Sequence, residues 1–301
     1  MEMLSRTRLG SGPGFAVEEV RCARLATPGW SSPEAGGAYM LVFVRVGLFR
    51  RRVGGAEAVL DPAVGYWQRP GEEQQVAHPL GDGDVCTAIT LSEELLAALA
   101  GGVATVPAAP VLTGDVLDLA YRALTTRARR GAGALELGER VARLAVAALA
   151  QQLPERVASG RPATAAARRR LADATREVLT AVPEPLTLGD LARLVGASPY
   201  HLSRVFQAET GLSLTRFRNR LRLRRALERL AAGESSLASV AADLGFADHA
   251  HFCRTVRKQL GRTPAQLRSL LDAGEPSTTA LRSGPAPGGD HGRRRGRHAR
   301  G

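Results

Sequence analysis

Arginine is well suited to reading a guanine, because its guanidinium can donate two parallel hydrogen bonds to the O6 and N7 edge in the major groove. Two arginines of this chain stand where that chemistry needs them. Arg204 lies in SPYHLSRVF, residues 198–206, and Arg254 in ADHAHFCRTV, residues 247–256. Around Arg204, Leu202, Val205 and Phe206 recur at i, i+3 and i+4. That period turns one helix face inward and leaves Tyr200, Ser203, Arg204 and Gln207 on the other. Around Arg254, Phe252 and Val256 turn inward and leave Asp248, His249, Cys253, Arg254 and Arg257. These nine side chains are the candidate DNA contacts. Arg204 is the first choice as a base reader and Arg254 the second. His201, His249 and His251 sit on different predicted helices without acidic or cysteine partners, so capping or DNA-facing roles are favoured over a metal centre, and no metal ligand is predicted.

The elements that must hold these residues form a duplicated pattern. Residues 190–218 and 239–268 superimpose with a shift of fifty: Leu202 on Phe252, Arg204 on Arg254, Gly211 on Gly261, Ser213 on Thr263 and Arg218 on Arg268. In the first copy Thr187 caps a short helix that ends at Gly196, then Ser198-Pro199 starts a second. In the second copy the corresponding turn is at Gly245. Short helix, turn and longer helix is the pattern of a helix-turn-helix. Residues 214–230 (LTRFRNRLRLRRALERL) read as one connecting helix. Phe217, Leu221, Ala226, Leu227 and Leu230 form its inner stripe, with Arg216, Arg218, Arg220, Arg222, Arg224 and Arg225 around the rest. A rigid connector that sets the reading helices about 34 Å apart lets them enter successive major grooves.

The charge distribution agrees. The net charge of +12 is absent from residues 1–167, where 17 basic residues meet 17 acidic ones. Residues 168–271 carry 18 against 9, and the remaining +3 lies in the tail. An excess confined to one region is expected where that region meets phosphates. Cys22, Cys86 and Cys253 show no paired or CxxC spacing, which favours a reducing cytosol over a disulfide framework. No secretory leader and no membrane-spanning run is predicted, and the expected location is cytoplasmic, associated with the nucleoid.

In the N-terminal half, residues 1–37 read as weakly periodic and loosely ordered. Short strands follow at 39–46, 48–53, 58–60, 64–68, 76–78 and 85–91, punctuated by Gly54-Gly55, Asp61-Pro62 and Pro70-Gly71, as in a small barrel or sandwich. After 91 the period becomes helical, with a short helix to about 100 and an amphipathic hairpin over 113–130 and 135–153. The expected organisation is a β-rich domain at 1–110, a helical hairpin at 111–153, a linker at 154–166, the tandem helix-turn-helix domain at 167–271 and a disordered basic tail at 272–301.

The second copy reads ADLGFADHAHF from 242 to 252, then R254 and GRTPAQLR from 261 to 268. With SPYHLSRVF in the first copy, it resembles the signature of the AraC family of bacterial transcription regulators. The resemblance covers about a third of the chain. Ala250, Val256 and Leu267 depart from the usual serine, phenylalanine and aromatic residue, which predicts a softer second unit and a dominant first. The resemblance implies an α+β chain: an N-terminal cupin-like β-barrel with a helical hairpin, and a C-terminal all-α tandem helix-turn-helix domain. It also implies that the domain at 1–110 is a sensor and the hairpin at 111–153 a dimerisation segment. Residues 65–79 (GYWQRPGEEQQVAHP) faintly resemble a cupin motif. The usual metal histidines are missing, with no HxH at 39–46 and Glu72, Glu73 and Gln74 after the turn. Tyr39, Phe43, Arg45, Trp67, His78 and Cys86 are candidate effector-lining residues. The expected partners are double-stranded DNA, RNA polymerase, a small-molecule effector and a second copy of the chain. No cofactor and no enzyme activity are expected, and an activator is the expected regulatory sense. The alternatives are a metal-dependent cupin enzyme and a DNA-repair protein with a fused DNA-binding domain, and the isolated Cys22 and Cys86 favour neither.

Overall fold

A computed structural model describes residues 4–23, 29–79, 83–151, 162–182 and 186–273. It opens with an antiparallel hairpin, β1 (Leu4–Gly12) and β2 (Phe15–Cys22), turning at Gly14 with φ 75°. The expectation of loose order over residues 1–37 is therefore corrected for residues 4–22, while residues 1–3 and 24–28 lie outside the described residues. Phe15 and Val17 alternate inward, but the next inward position is Glu19. A charged residue at a core position hides the strand period, and the arginines that compensate it come from distant segments.

Eight more strands follow: β3 (Glu34–Ala35), β4 (Tyr39–Val46), β5 (Phe49–Val53), β6 (Ala56–Leu60), β7 (Val64–Gln68), β8 (Glu73–Ala77), β9 (Asp84–Leu91) and β10 (Val111–Leu112). One sheet has the order β1-β2-β9-β4-β7-β10 and the other β3-β8-β5-β6. Gly54 and Gly55, at φ 53° and 81°, make the tight β5–β6 turn, where two successive positive φ values would strain other residues. The sheets face each other across a cavity of about 210 Å³, lined by Val20, Met40, Val42 and Tyr66 from the larger and Phe49 and Val76 from the smaller. This is the expected cupin-like barrel.

Strand parity decides what each residue touches. Even positions of β4 and β9 (Met40, Val42, Cys86, Ala88) face the cavity. Odd positions (Leu41, Phe43, Ile89, Leu91) face outward into a second core, built with α1 (Glu93–Ala100), α2 (Asp115–Arg129) and α3 (Ala134–Leu149). There Phe43 stacks on Tyr121 with centroids 4.7 Å apart. Burying each such side chain is worth about 1.5–3 kcal/mol. The apolar face of the α2–α3 hairpin, with Leu117, Tyr121, Leu124, Val141 and Leu144, thus closes on the barrel of its own chain.

The C-terminal half is α4 (Pro162–Ala181), α5 (Leu188–Leu194), α6 (Pro199–Thr210), α7 (Leu214–Ala231), α8 (Leu237–Asp243), α9 (His249–Leu260) and α10 (Pro264–Ala273). α4 begins inside the segment read as linker, because alanines and arginines at 165–170 favour helix over coil. The rest of that linker and most of the predicted tail lie outside the described residues. One buried cluster runs from Val44, Leu60 and Val64 of the barrel into Ala172, Leu179, Leu202, Phe206 and Phe217. A separate cluster holds the second unit, with Phe246, Phe252, Val256, Leu267 and Leu271. Among the described residues no helix is long and apolar enough to cross a membrane.

Candidate nucleic-acid interface

Each helix-turn-helix is built by local chemistry. Thr187 accepts from the Asp190 amide and Asp190 answers to the Thr187 amide, a capping box at the start of α5. The Thr187 hydroxyl, donating to the Asp190 carboxylate at 2.6 Å, leads in holding that carboxyl below its usual range, with the Thr187 amide and Arg193 adding to it. We expect Thr187→Ala to cost about 1 kcal/mol in denaturant unfolding, with DNA-contacting side chains untouched. α6 starts from the Ser198 cap with Pro199 in its first turn, and α9 starts from Asp248, whose carboxylate accepts from the His251 amide at 2.5 Å. Both α6 and α9 end at a left-handed glycine, Gly211 at φ 74° and Gly261 at φ 66°. Ser213 and Thr263 then cap the following helices in the same way. The fifty-residue repeat is therefore a repeat of caps as well as of apolar positions.

The two reading faces are open. Tyr200 is 72 % exposed, Arg204 and Gln207 are exposed, and Ser203 is half-buried on the same side of α6. The Arg204 guanidinium lies 5.5 Å from the Tyr200 ring centroid, within cation–π range on the exposed face. On α9, His249, Arg254 and Arg257 are exposed, and Cys253 is half-buried with its Sγ 3.4 Å from His249 Nε2. Asp248 is exposed, and its carboxylate serves the helix end. The smaller Val256 and Leu267 are fully buried beside Phe252, so the second core closes without the usual aromatics.

The connector α7 differs from its expected arginine ring. Arg224 is 3 % exposed, not solvent-facing, and reaches the Thr113 carbonyl on the chain before α2. Arg220 pairs with Asp115 at 3.4 Å, and Arg225 donates to the Thr180 carbonyl at 2.6 Å. One turn beyond Arg224, Glu228 receives Arg122 at 2.5 Å and also Arg45. Arg45 holds Glu19 at 2.5 Å, and Arg129 joins it there. Residues 220, 224 and 228 thus lie on one stripe of α7 and meet Asp115, Asp118 and Arg122 of α2. Arg220 and Arg224 moor α7 to α2 and the segment before it, while Arg225 is used within the C-terminal half. Burial lowers the pKa values of Arg222 and Arg225, while Arg216 and Arg204 remain in solvent.

Of the six candidate effector-lining residues, His78 and Cys86 do line the cavity. Tyr39, Phe43 and Trp67 do not: their odd parity turns them into the core shared with α1–α3, where the Tyr39 hydroxyl donates to the Ala104 carbonyl. Arg45 sits where the β4–β9 register shifts between Val44 and Val46, and points into the ion-pair nest. Gln68, Tyr66, Met40 and Phe49 line the cavity and were missed. A consistent parity assignment on β4 and β7 would have found the first three. Burial pushes the Tyr66 phenol up, and burial beside Asp84 pushes the Cys86 thiol up.

The sequence profile of a family described as a helix-turn-helix domain matches residues 191–269. The bifunctional transcriptional activator and DNA repair enzyme Ada of Escherichia coli is 40% identical over 84 residues, 28% of this chain and 23% of Ada. Regulatory protein SoxS of the same organism is 31% identical over 90 residues, 30% of this chain and 84% of SoxS. A solved AraC-type DNA-binding regulator from Chromobacterium violaceum is 27% identical, covering 36% of this chain and 99% of its own, with a TM-score of 0.34. The match spans 23% of the length of Ada and 33% of that of the Salmonella typhimurium regulator PocR. Two helix-turn-helix units in register, joined by α7 and similar to nearly the whole of SoxS, place the protein: it belongs to the AraC family of transcription regulators.

Proposed function

We propose that the chain is a sequence-specific DNA-binding transcription regulator, acting as an activator. The observation that carries this reading is the pair of exposed faces on α6 and α9, set by matching caps at an interval of fifty residues. Arg204 reads a guanine in one major groove and Arg254 one in the next, with Tyr200, Ser203, Gln207, His249, Cys253 and Arg257 alongside. Phosphate contacts from Arg216 and the exposed part of α9 supply salt-dependent affinity without sequence information. The barrel is the sensor, and its cavity takes a small effector. The effector acts through the β4 and α2 contacts to α7, because those are the contacts an altered barrel would change. RNA polymerase is the protein partner on the promoter, and the chain works in the cytoplasm on nucleoid DNA. Catalysis is not part of this reading: Cys22 and Cys86 are 7% and 4% exposed, and the more accessible Cys253 lies on the outer face of α9 against His249.

The reading is tested by selecting bound sites from random DNA with the full chain. A motif of two unequal half-elements about one helical turn apart supports it. Enrichment of no sequence counts against it. The protein is further read as a homodimer. The hairpin buries its main apolar face internally, which leaves the outer side of α3, with Leu135 and Val146 at 81% and 46% exposed, for a partner copy. Val146→Glu is expected to shift sedimentation from dimer to monomer at least tenfold in dissociation constant, about 1.4 kcal/mol, while each chain remains folded.

A further inference from the structure

One wall of the barrel cavity carries four polar side chains that the DNA-reading faces do not involve. Cys22 on β2, His78 just after β8, and Asp84 and Cys86 on β9 all line it, and all are less than a tenth exposed. The strand register brings them together. Cys22 is paired directly across from Asp84, and Cys86, two residues along β9, shares its face. His78 Nε2 lies 2.5 Å from Asp84 Oδ2, and Cys22 Sγ lies 4.0 Å from His78 Nδ1. Cys86 donates from Sγ to Asp84 Oδ1 at 3.1 Å. One ligand atom from each of Cys22, His78 and Asp84 can be taken so that all three lie within 4.8 Å of one another.

We propose that Cys22, His78 and Asp84 form a binding site for a divalent transition-metal ion of the zinc class. One thiolate, one imidazole and one carboxylate make a mixed donor set that suits a borderline ion and not a hard one such as magnesium or calcium. With metal–sulfur and metal–nitrogen bonds of about 2.3 and 2.0 Å, tetrahedral geometry puts the two donors roughly 3.5 Å apart. The 4.0 Å seen here, to Nδ1, closes with a side-chain movement of about 0.5 Å, and Asp84, which contacts the other ring nitrogen, must swing onto the same ion. Three protein ligands leave a fourth position, and it opens onto the cavity. Cys86 is a positioning residue: its Sγ lies 3.1 Å from the second oxygen of Asp84 and holds it. The order Cys–His–Asp also suggests a nucleophile activated by a base. A sulfur 4.0 Å from the ring nitrogen lies beyond the roughly 2.6–3.2 Å that such proton transfer uses. On metal entry the Cys22 thiol proton leaves to solvent and the sulfur takes up the bond to the ion, so binding tightens as pH rises.

The test uses the full chain carrying Cys253→Ser, which removes the surface Cys253–His249 pair as a competing ligand set. The protein is stripped with chelator and titrated with Co²⁺, then with Zn²⁺. Expected are one Co²⁺ per chain, a thiolate-to-cobalt charge-transfer absorption, its displacement by Zn²⁺, and a rise in Tm with Zn²⁺. Cys22→Ser should abolish the charge-transfer band. Cys86→Ala should keep the band and weaken binding by about 10- to 100-fold. Failure of the folded parent to bind one equivalent, or a band that survives Cys22→Ser, would overturn the site. The parent titration decides even if a variant does not fold, and none of these readouts depends on whether the chain reads DNA.

Discussion

Glu228→Ala lowers the stability of the chain by about 2–3 kcal/mol, read as a drop in the denaturant midpoint at constant m-value. The carboxylate receives Arg122 at 2.5 Å and also Arg45, and the two arginine side chains are 1% and 3% exposed. Removing one partner from a fully buried pair costs about 3–5 kcal/mol, because the other charge stays in a poorly polarisable interior. Two features reduce that here. Glu228 is itself 23% exposed, and each arginine keeps a second carboxylate, Glu19 for Arg45 and Asp118 for Arg122. Arg122 Nη2 already finds no acceptor among the described residues, so losing Glu228 leaves Nη1 unmet as well and only Nε paired, to Asp118. Glu228→Gln, which keeps an acceptor of the same shape, should cost about half as much. A loss near 0.5 kcal/mol for the alanine variant would place the nest in the range of screened surface pairs and refute the buried reading. The consequence reaches function because α7 carries both reading units. With Glu228 gone, amides of α7 and of the first turns of α2 should exchange faster than those of α6 and α9, since the mooring and not the reading core has been loosened. The same nest is acid-sensitive. Burial raises the Glu19 pKa, but Arg21, Arg129 and Arg45 together outweigh it and hold it low. Its contribution is complete above the pKa of an unfolded glutamate, about 4.3, and is lost as pH falls through the depressed folded value.

What could be read from the residues and what could not divide along the range of the interaction involved. The helix-turn-helix units announce themselves because their signals are local. Ser198-Pro199, Gly211 and the Leu202–Phe206 spacing lie within fifteen residues of one another, and each fixes a cap, a stop or a buried face. β4, β7 and β9 were legible for the same reason, as short apolar runs bounded by turns. β2 was not, because Glu19 occupies one of its buried positions and is stabilised by Arg45 and Arg129, 26 and 110 residues away. The arginines of α7 looked like a solvent or DNA face for a related reason. The stripe Arg220, Arg224 and Glu228 is visible in the sequence, but its complement on α2 lies 105 residues earlier. Nothing in either helix alone says that they meet. The effector-lining residues failed through parity. Leu41, Phe43 and Trp67 are as apolar as Met40, Val42 and Tyr66, and only knowing that helices cover the outer face of the sheet separates the two sets.

Arg204→Ala should cost about 1–3 kcal/mol, roughly 5- to 150-fold, and the loss should be concentrated at one or two base pairs of the selected site. The side chain is free to make that contact: it stands exposed beside Tyr200 on the outer face of α6, and the two are backed by Leu202, Val205 and Phe206, each 5% exposed or less. A rigid backing matters because a bidentate pair to guanine tolerates little displacement, and a helix fixed by a serine cap at one end and a left-handed glycine at the other supplies it. Two measurements separate base reading from charge. Affinities of parent and variant for a panel of single-base changes should converge at the guanine that Arg204 reads, since neither protein then gains from the correct base. The dependence of affinity on salt should stay the same, because no phosphate contact is lost. A uniform weakening over all sequences, with the salt slope reduced by about 1, would instead assign Arg204 to the backbone. Arg254→Ala, measured in parallel, should follow the same pattern with a smaller loss. Its neighbours on α9 include Asp248, an acid at the very end that approaches the groove, and the half-buried Cys253. A negative charge near phosphates weakens the second unit's hold on the duplex, so the base-specific contribution of α9 is registered only once α6 is seated.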